Sequence, residues 1–264
     1  DAVTVGMLRT IIAALVLFPL ALILKFPKPK DRKCWFDVAF SALAVFVGFT
    51  LLFTVGQKFT STAHAALILA AAPVFTGFFG FVVGRKWPRL IWWIGAIIAL
   101  VGEGFLIAYR TPGSAKEVTV IGDLLVLVSV MSVSAGYVTG GRSSSKIGAM
   151  ASTAWSISLA ALVLAPVLVW RLGVIQLAPF FSNLTSWGFV IFLALFTSIV
   201  GYGAWCWAIG QAGIAHIAPI QFGQPIVSIA IAVTVLGERI TAPILIAVFT
   251  ILVGLALTRK SNNP

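Results

Sequence analysis

Residues 214–235 form an apolar stretch that holds two amides and a proline close together: Gln221, Gln224 and Pro225, with Gly223 among them. Gln221 and Gln224 are three residues apart and would share one face of a helix. Proline has no N–H to offer the carbonyl four residues back, so Pro225 predicts a freed carbonyl at Gln221. In hydrocarbon such a carbonyl is costly unless it faces a cavity or a neighbour able to bond it. Two amides and a carbonyl could hold an ammonium or a carboxylate. The alternative is a proline kink with both glutamines bonded to other helices. A second candidate set is Ser198, Tyr202 and Trp205, at i, i+4 and i+7, which makes one helical stripe of two aromatics and two hydroxyls. Aromatic walls with few hydroxyls suit a partly apolar organic ligand. The competing reading is a headgroup-depth belt, which also collects Trp and Tyr; Trp87, Trp92, Trp93, Trp187 and Trp207 are assigned to it.

The spacing of these groups repeats. His64 and Pro73 are nine residues apart, as are His216 and Pro225, and the second pair follows the first by 152 residues. The same offset carries Val101-Gly102 onto Val253-Gly254. It also maps Ser198, Tyr202 and Trp205 back onto Phe46, Thr50 and Phe53, which become the matching stripe in the first half. Pro73 predicts a free carbonyl at Leu69, but Leu69 and Ala72 stand where the later stretch has its glutamines. Pro73, Pro225 and Gly223 are read as hinges. Tyr137 and Trp155 are further ligand-contact candidates. His64 could relay protons or simply cap a helix. Glu103 is the carboxylate best placed inside an apolar span, which makes it the coupling candidate.

The elements that must position these residues follow from composition. The 264-residue chain is 60% hydrophobic and 9% charged, against roughly 25% charged in soluble domains. A soluble protein this apolar could not cover its surface, so the fold class is all-α and membrane-embedded. A transmembrane helix needs about 20 mostly apolar residues. Nine such stretches are expected: 3–24, 37–55, 63–83, 90–109, 119–138, 149–170, 187–207, 214–235 and 241–258. A short interfacial helix is expected through 177–181. Asp123 suits the positive end of a helix, and Gly80/Gly84 and Gly136/Gly140 have the spacing of close packing points.

The net charge of +11 is carried mostly by short loops, which makes it a topology signal and not a nucleic-acid footprint. Twelve of the 18 Lys and Arg residues fall on one side: the loops holding Lys25 to Lys33, Arg85 to Arg89, and Arg142 with Lys146, and the tail with Arg259 and Lys260. Six, Arg9, Lys58, Arg110, Lys116, Arg171 and Arg239, are assigned to the other. The C-terminus is therefore expected in the cytoplasm. The 152-residue offset pairs spans one to four with spans six to nine, and each pair runs in opposite directions. The repeats are thus expected to be inverted: 1–110 as a first repeat lacking its first helix, and 119–258 as the second, within one transmembrane domain. The span at 119–138 has no partner, so a helix before Asp1 is expected in the native protein. Inverted repeats with a site near the midplane suit secondary transporters.

Four stretches carry a resemblance to a known family. They are Gly6-Met7-Leu8-Arg9 leading to Ala13-Ala14-Leu15, and Ala65-Ala66-Leu67-Ile68 through Ala72-Pro73-Val74-Phe75. The third is Gln224-Pro225-Ile226 with Leu236-Gly237-Glu238-Arg239-Ile240-Thr241, and the last is Leu252-Val253-Gly254. The chain resembles the drug/metabolite transporter superfamily, in particular the ten-helix EamA-type exporters built from two five-helix repeats. The first repeat departs from the Gly-Glu-Arg turn, with Gly84-Arg85-Lys86 in its place. The resemblance implies alternating access, a bacterial inner membrane, and export of small metabolites, often amino acids or related amines. Aromatic or other apolar amino acids are the specific expectation, from the aromatic stripe alone.

The expected partners are a small-molecule substrate and the lipid bilayer, with no nucleic acid. The sequence leaves the oligomeric state open, a monomer included. There is no nucleotide-binding loop, nucleophile-base set or metal spacing, so no catalytic residue, cofactor or metal is expected. A membrane-embedded enzyme and a non-transporting scaffold or receptor subunit are the rival classes. A channel is disfavoured, since no ring of charge or filter-like loop is present. With no acidic residue beside the polar break near Gln221, strict proton coupling is not expected.

Overall fold

The computed structural model describes residues 2–60, 62–85, 87–110, 119–174, 184–224, 226–227, 230, 234 and 242–261. Every regular element among them is helical. We number the helices α1 (Ala2–Ile23), α2 (Arg32–Ser41, Ala42–Phe49 and Thr50–Gly56), α3 (Thr62–Ala70 and Ala72–Gly84) and α4 (Leu90–Arg110). Then follow α5 (Val120–Ile147), α6 (Ala149–Val174), α7 (Leu184–Phe192, Leu193–Gly201 and Tyr202–Ala212), α8 (Ile214–Ile217 and Ala218–Gly223) and α9 (Ala242–Ser261). Five of these helices, α1, α2, α5, α6 and α7, are long and apolar enough to cross a membrane, and α3, α4 and α9 hold shorter apolar runs. The expected interfacial helix at 177–181, and Pro225 with the Gly237-Glu238-Arg239 turn, lie outside the described residues.

Local chemistry sets the helix ends. Asp31 caps α2 by accepting the Cys34 N–H at 3.2 Å, and its other oxygen lies 3.3 Å from the Lys146 ammonium. The Thr119 hydroxyl accepts the Gly122 N–H at 3.1 Å and so caps α5. Asp123, in the first turn of α5, accepts from Thr60. Past α1, Phe26 N–H bonds the Ala21 carbonyl and Lys25 N–H bonds that of Leu22, with Lys25 left-handed at φ 51°. This is the usual helix-stop motif, made here without glycine. Gly148, at φ +87°, separates α5 from α6.

Two expectations about helices are corrected. The span expected at 119–138 continues to Ile147, so Arg142 and Lys146 belong to the helix and not to a loop. A polar run survives there because its hydroxyls bond the preceding turn: Thr139 to the Gly136 carbonyl, Ser143 to that of Gly140, Ser145 to that of Arg142. The second correction is internal to α2 and α7. Each passes through a π-helical stretch, Ala42–Phe49 and Leu193–Gly201. Ala42 and Phe49 map onto Ala194 and Gly201 under the 152-residue offset, so the two stretches coincide almost residue for residue.

The chain forms two compact units, Asp1–Thr54 with Ala135–Gly213, and Val55–Ser134 with Ile214–Pro264. Each takes helices from both sequence halves. In the first, α1 packs along α6, with Phe18 edge-on to Trp155 and the Arg171 Nε donating to the Thr4 hydroxyl. Close approach needs small residues: a Cβ on Gly136 would lie 3.0 Å from Ala44 Cβ, and one on Gly140 3.2 Å from Cys206 Sγ. Both were expected packing points.

In the second unit, α4 packs along α9 in the opposite direction. A Cβ on Gly254 would lie 2.6 Å from the Gly95 carbonyl oxygen, and one on Gly102 3.1 Å from that of Ala247. Under the offset Gly95 maps to Ala247 and Gly102 to Gly254, so each contact is the image of the other. Gly80 abuts Ile214, whereas Gly84 meets nothing. Phe81, Trp92, Ala96, Ala99, Phe222 and Ile251 form the core of this unit. Trp92 is thus corrected from a belt residue to a fully buried one, edge-on to Phe81 at 5.0 Å. Trp87 and Trp207 are exposed, as a belt requires.

Candidate functional site

The stripe on α7 meets its partner on α2 within the first unit. Tyr202 lies edge-on to Phe46 with ring centroids 4.8 Å apart. From α5, Tyr137 reaches both Tyr202 at 6.1 Å and Trp205 at 5.4 Å. Four of the expected residues, from three helices, therefore share one aromatic cluster. The π-helical stretches end at Phe49 and Gly201, directly before Thr50 and Tyr202, so they set the phase of both stripes. A small cavity of about 10 Å³ lies against the cluster, lined in part by Ser41, Phe46, Tyr137, Thr153, Tyr202 and Cys206. That is room for about one water.

The polar atoms around the cluster are unusually unsatisfied. Ser198 is fully buried and Thr50 is 3% exposed, yet neither hydroxyl has a hydrogen-bond partner. The Trp205 Nε1 and the Thr153 hydroxyl are also buried without partners. Buried polar groups are satisfied in the large majority of cases, so this concentration needs an explanation. Of the other expected residues, Phe53 stacks on Phe49 at 5.1 Å and joins no ring of the cluster. Trp155 donates its indole N–H to the Pro27 carbonyl at 3.0 Å, which ties it to the loop after α1.

Two charged residues were not foreseen in these roles. Asp37 is fully buried on α2 and faces Arg142 of α5 at 3.6 Å. A carboxylate amid Phe36, Val38 and Phe40 was the available signal. Arg9 was counted only as an outer-side charge, and it lies inside α1, seven residues beyond the first helical residue. The Arg9 Nε is buried without a partner.

The second unit holds the proline-glutamine site. Ala218–Gly223 winds as a 3₁₀ helix, so the regular helix expected through 214–235 is interrupted before Pro219. The Gln224 N–H bonds the Gln221 carbonyl. The carbonyl expected to be free is therefore satisfied, because the tighter turn supplies a donor three residues on. The side chain matters more: Gln221 is 8% exposed and its Oε1 has no partner. Gln224 is exposed. Gly223 ends the 3₁₀ turn. The α3 break falls at Ala71, two residues before Pro73, and Ser134 of α5 donates to the Ala72 carbonyl at 3.2 Å. His64 lies in the first segment of α3. Glu103 is 3% exposed on α4. Among the described residues no cluster of His, Cys, Asp or Glu could hold a metal.

Several long apolar helices define a multi-pass membrane protein. The EamA-like transporter family matches residues 1–108 and 120–259, and the chain belongs to that family. It is a membrane transporter of the drug/metabolite type. A Bacillus subtilis (strain 168) protein named as the uncharacterized transporter YdeK is 24% identical over 98% of this chain and 88% of its own. A Salmonella typhimurium (strain LT2) protein named as a probable amino-acid metabolite efflux pump is 26% identical over 81% of this chain and 75% of its own. A protein of the same name from Escherichia coli (strain K12) is 26% identical over 80% and 71%. One crystal structure superposes with a TM-score of 0.75 at 17% identity, covering 98% of this chain and 88% of that one, which supports the fold alone.

Proposed function

We propose that the protein is an inner-membrane secondary transporter that exports small organic metabolites by alternating access, with aromatic and other apolar amino acids as its leading substrate class. The observation that carries this reading is the Phe46, Tyr137, Tyr202 and Trp205 cluster with the orphaned Ser198 and Thr50 hydroxyls beside it. Apolar walls with a few convergent polar groups suit a small amphiphilic ligand. The names of the Salmonella and Escherichia relatives support the substrate class. A non-enzymatic role fits this reading better than catalysis or a scaffold function.

The inverted-repeat architecture, 1–110 and 119–258, belongs to the same proposal. It is supported by the reciprocal α4–α9 contacts, since a pair in which each contact is the image of the other is the mark of a twofold relation. The offset-matched π-helical stretches support it too. Loop charge favours a cytoplasmic C-terminus. The test is counterflow in proteoliposomes. Vesicles preloaded with unlabelled phenylalanine should take up external labelled phenylalanine transiently, and protein-free vesicles should not. Failure with phenylalanine, tryptophan, leucine and methionine alike would refute the substrate class.

A further inference from the structure

We propose that Arg9 is the group that recognises the substrate's carboxylate, so that an acid group and not an amine is what the site selects. The proposal rests on the reading of the aromatic cluster as the binding site and adds the ligand chemistry. A guanidinium stays charged inside a membrane protein, and charged residues within spans pair or face a polar cavity. Arg9 sits about 10 Å along α1 at 1.5 Å rise per residue. Among the described residues no carboxylate pairs with it: Asp37 is engaged by Arg142 and Asp31 by Lys146.

Two observations place Arg9 beside residues of the cluster. Gly6, three residues before Arg9 and on the same helical face, abuts the Thr50 side chain. And α1 packs on the Leu193–Gly201 stretch that carries Ser198. The unsatisfied polar atoms on these elements include Arg9 Nε, Trp205 Nε1 and the Thr50 and Ser198 hydroxyls. The first two can only donate, and the hydroxyls can donate as well. Unspent donors on the packed helices, with one fixed positive charge among them, are complementary to an acceptor-only anion. A carboxylate, flat and able to take a guanidinium on two oxygens, fits it. An ammonium would leave the donor-only Arg9 and Trp205 groups orphaned and would face a like charge. The aromatic rings would then take the side chain.

The experiment is calorimetric binding to the protein in lipid nanodiscs, with three probes that share one phenylalkyl group: phenylalanine, 3-phenylpropionate, which lacks the amine, and phenethylamine, which lacks the carboxylate. Wild type is expected to bind the two carboxylates and to bind phenethylamine at least tenfold more weakly. Arg9→Gln should weaken both carboxylates by about ten- to a hundredfold, the worth of a hydrogen-bonded charge. It should not weaken phenethylamine, because it removes the like charge that faces the ammonium. Arg9→Lys should fall between, since it keeps the charge and loses the planar fork. A purely structural arginine would weaken all three probes together. Phenethylamine binding to wild type as tightly as phenylalanine, or carboxylate affinities unchanged in Arg9→Gln, would overturn the assignment while leaving amino-acid transport intact. Binding of 3-phenylpropionate without phenylalanine would keep Arg9 and overturn the amino-acid reading. Binding of neither carboxylate would overturn both. The wild-type comparison decides the matter even where Arg9→Gln does not fold.

Discussion

Orphaned polar atoms distinguish binding from packing at the level of single residues. Gln221 keeps a buried, unpartnered Oε1. Removing an acceptor that bonds nothing costs no hydrogen bond, so Gln221→Leu should leave the thermal midpoint unchanged or raise it. If the amide meets substrate, the same change should weaken transport about five- to 150-fold, the worth of 1–3 kcal/mol. Thermal unfolding in detergent and transport kinetics on one preparation separate the two; a lowered midpoint with unchanged transport would make Gln221 structural. Ser198→Ala should behave likewise, since its hydroxyl also bonds nothing. Residue types and spacing made Ser198, Tyr202 and Trp205 legible, because a stripe needs only the helical period. Arg9 was read only as a topology charge, because a lone arginine in an apolar run reads the same whether it serves a site or a helix end. Trp92 was misassigned because tryptophan serves a headgroup belt and a buried core equally well.

Helices were legible where about 20 apolar residues sufficed to mark them, and less so where local chemistry overrode the pattern. The continuation of α5 to Ile147 was hidden by the polar run Thr139 to Ser145, whose hydroxyls bond the helix itself. The π-helical stretches left no mark in the sequence, since Ala42–Phe49 and Leu193–Gly201 read as ordinary apolar helix. The prolines were a partial guide. Pro73 does accompany a break, but at Ala71, and the bond that holds it comes from Ser134 to the Ala72 carbonyl. Ser134→Ala should therefore cost about 0.5–1.5 kcal/mol, the net worth of one buried hydrogen bond. Chemical unfolding followed by helical circular dichroism would measure it, and a change below about 0.5 kcal/mol would mean that another donor serves that carbonyl. The α4–α9 contact is tighter still. Gly254→Leu must push a side chain into the Gly95 carbonyl 2.6 Å away, so it should abolish folded protein in detergent. A monodisperse, transport-competent Gly254→Leu protein would contradict the packing described.

For the whole molecule, the two compact units each combine α-helices that the 152-residue offset relates: α1 with α6 and α2 with α7, α3 with α8 and α4 with α9. The offset was visible in few identities, and which helices would pack together was not. Loop charge predicts that cysteines placed at Lys28 and Arg85 are protected in intact cells and that one at Gly173 is labelled. The native Cys34 and Cys206 are buried and give little background. Labelling at Lys28 or Arg85 from outside would reverse the orientation. Coupling is testable in the same system. With equal substrate on both sides, a two-unit pH gradient is expected to drive no sustained accumulation. Accumulation abolished by a protonophore and by Glu103→Gln would instead make the buried Glu103 the coupling group. The central claim is that the α2–α5–α7 cluster binds an amino acid for transport, and one measurement reaches it most directly: phenylalanine counterflow by wild type and Tyr202→Ala, reconstituted at equal density. Wild type should show a transient overshoot, and Tyr202→Ala should lose at least ten-fold of its initial rate while unfolding at a similar temperature. Equal overshoots in the two proteins would contradict the account.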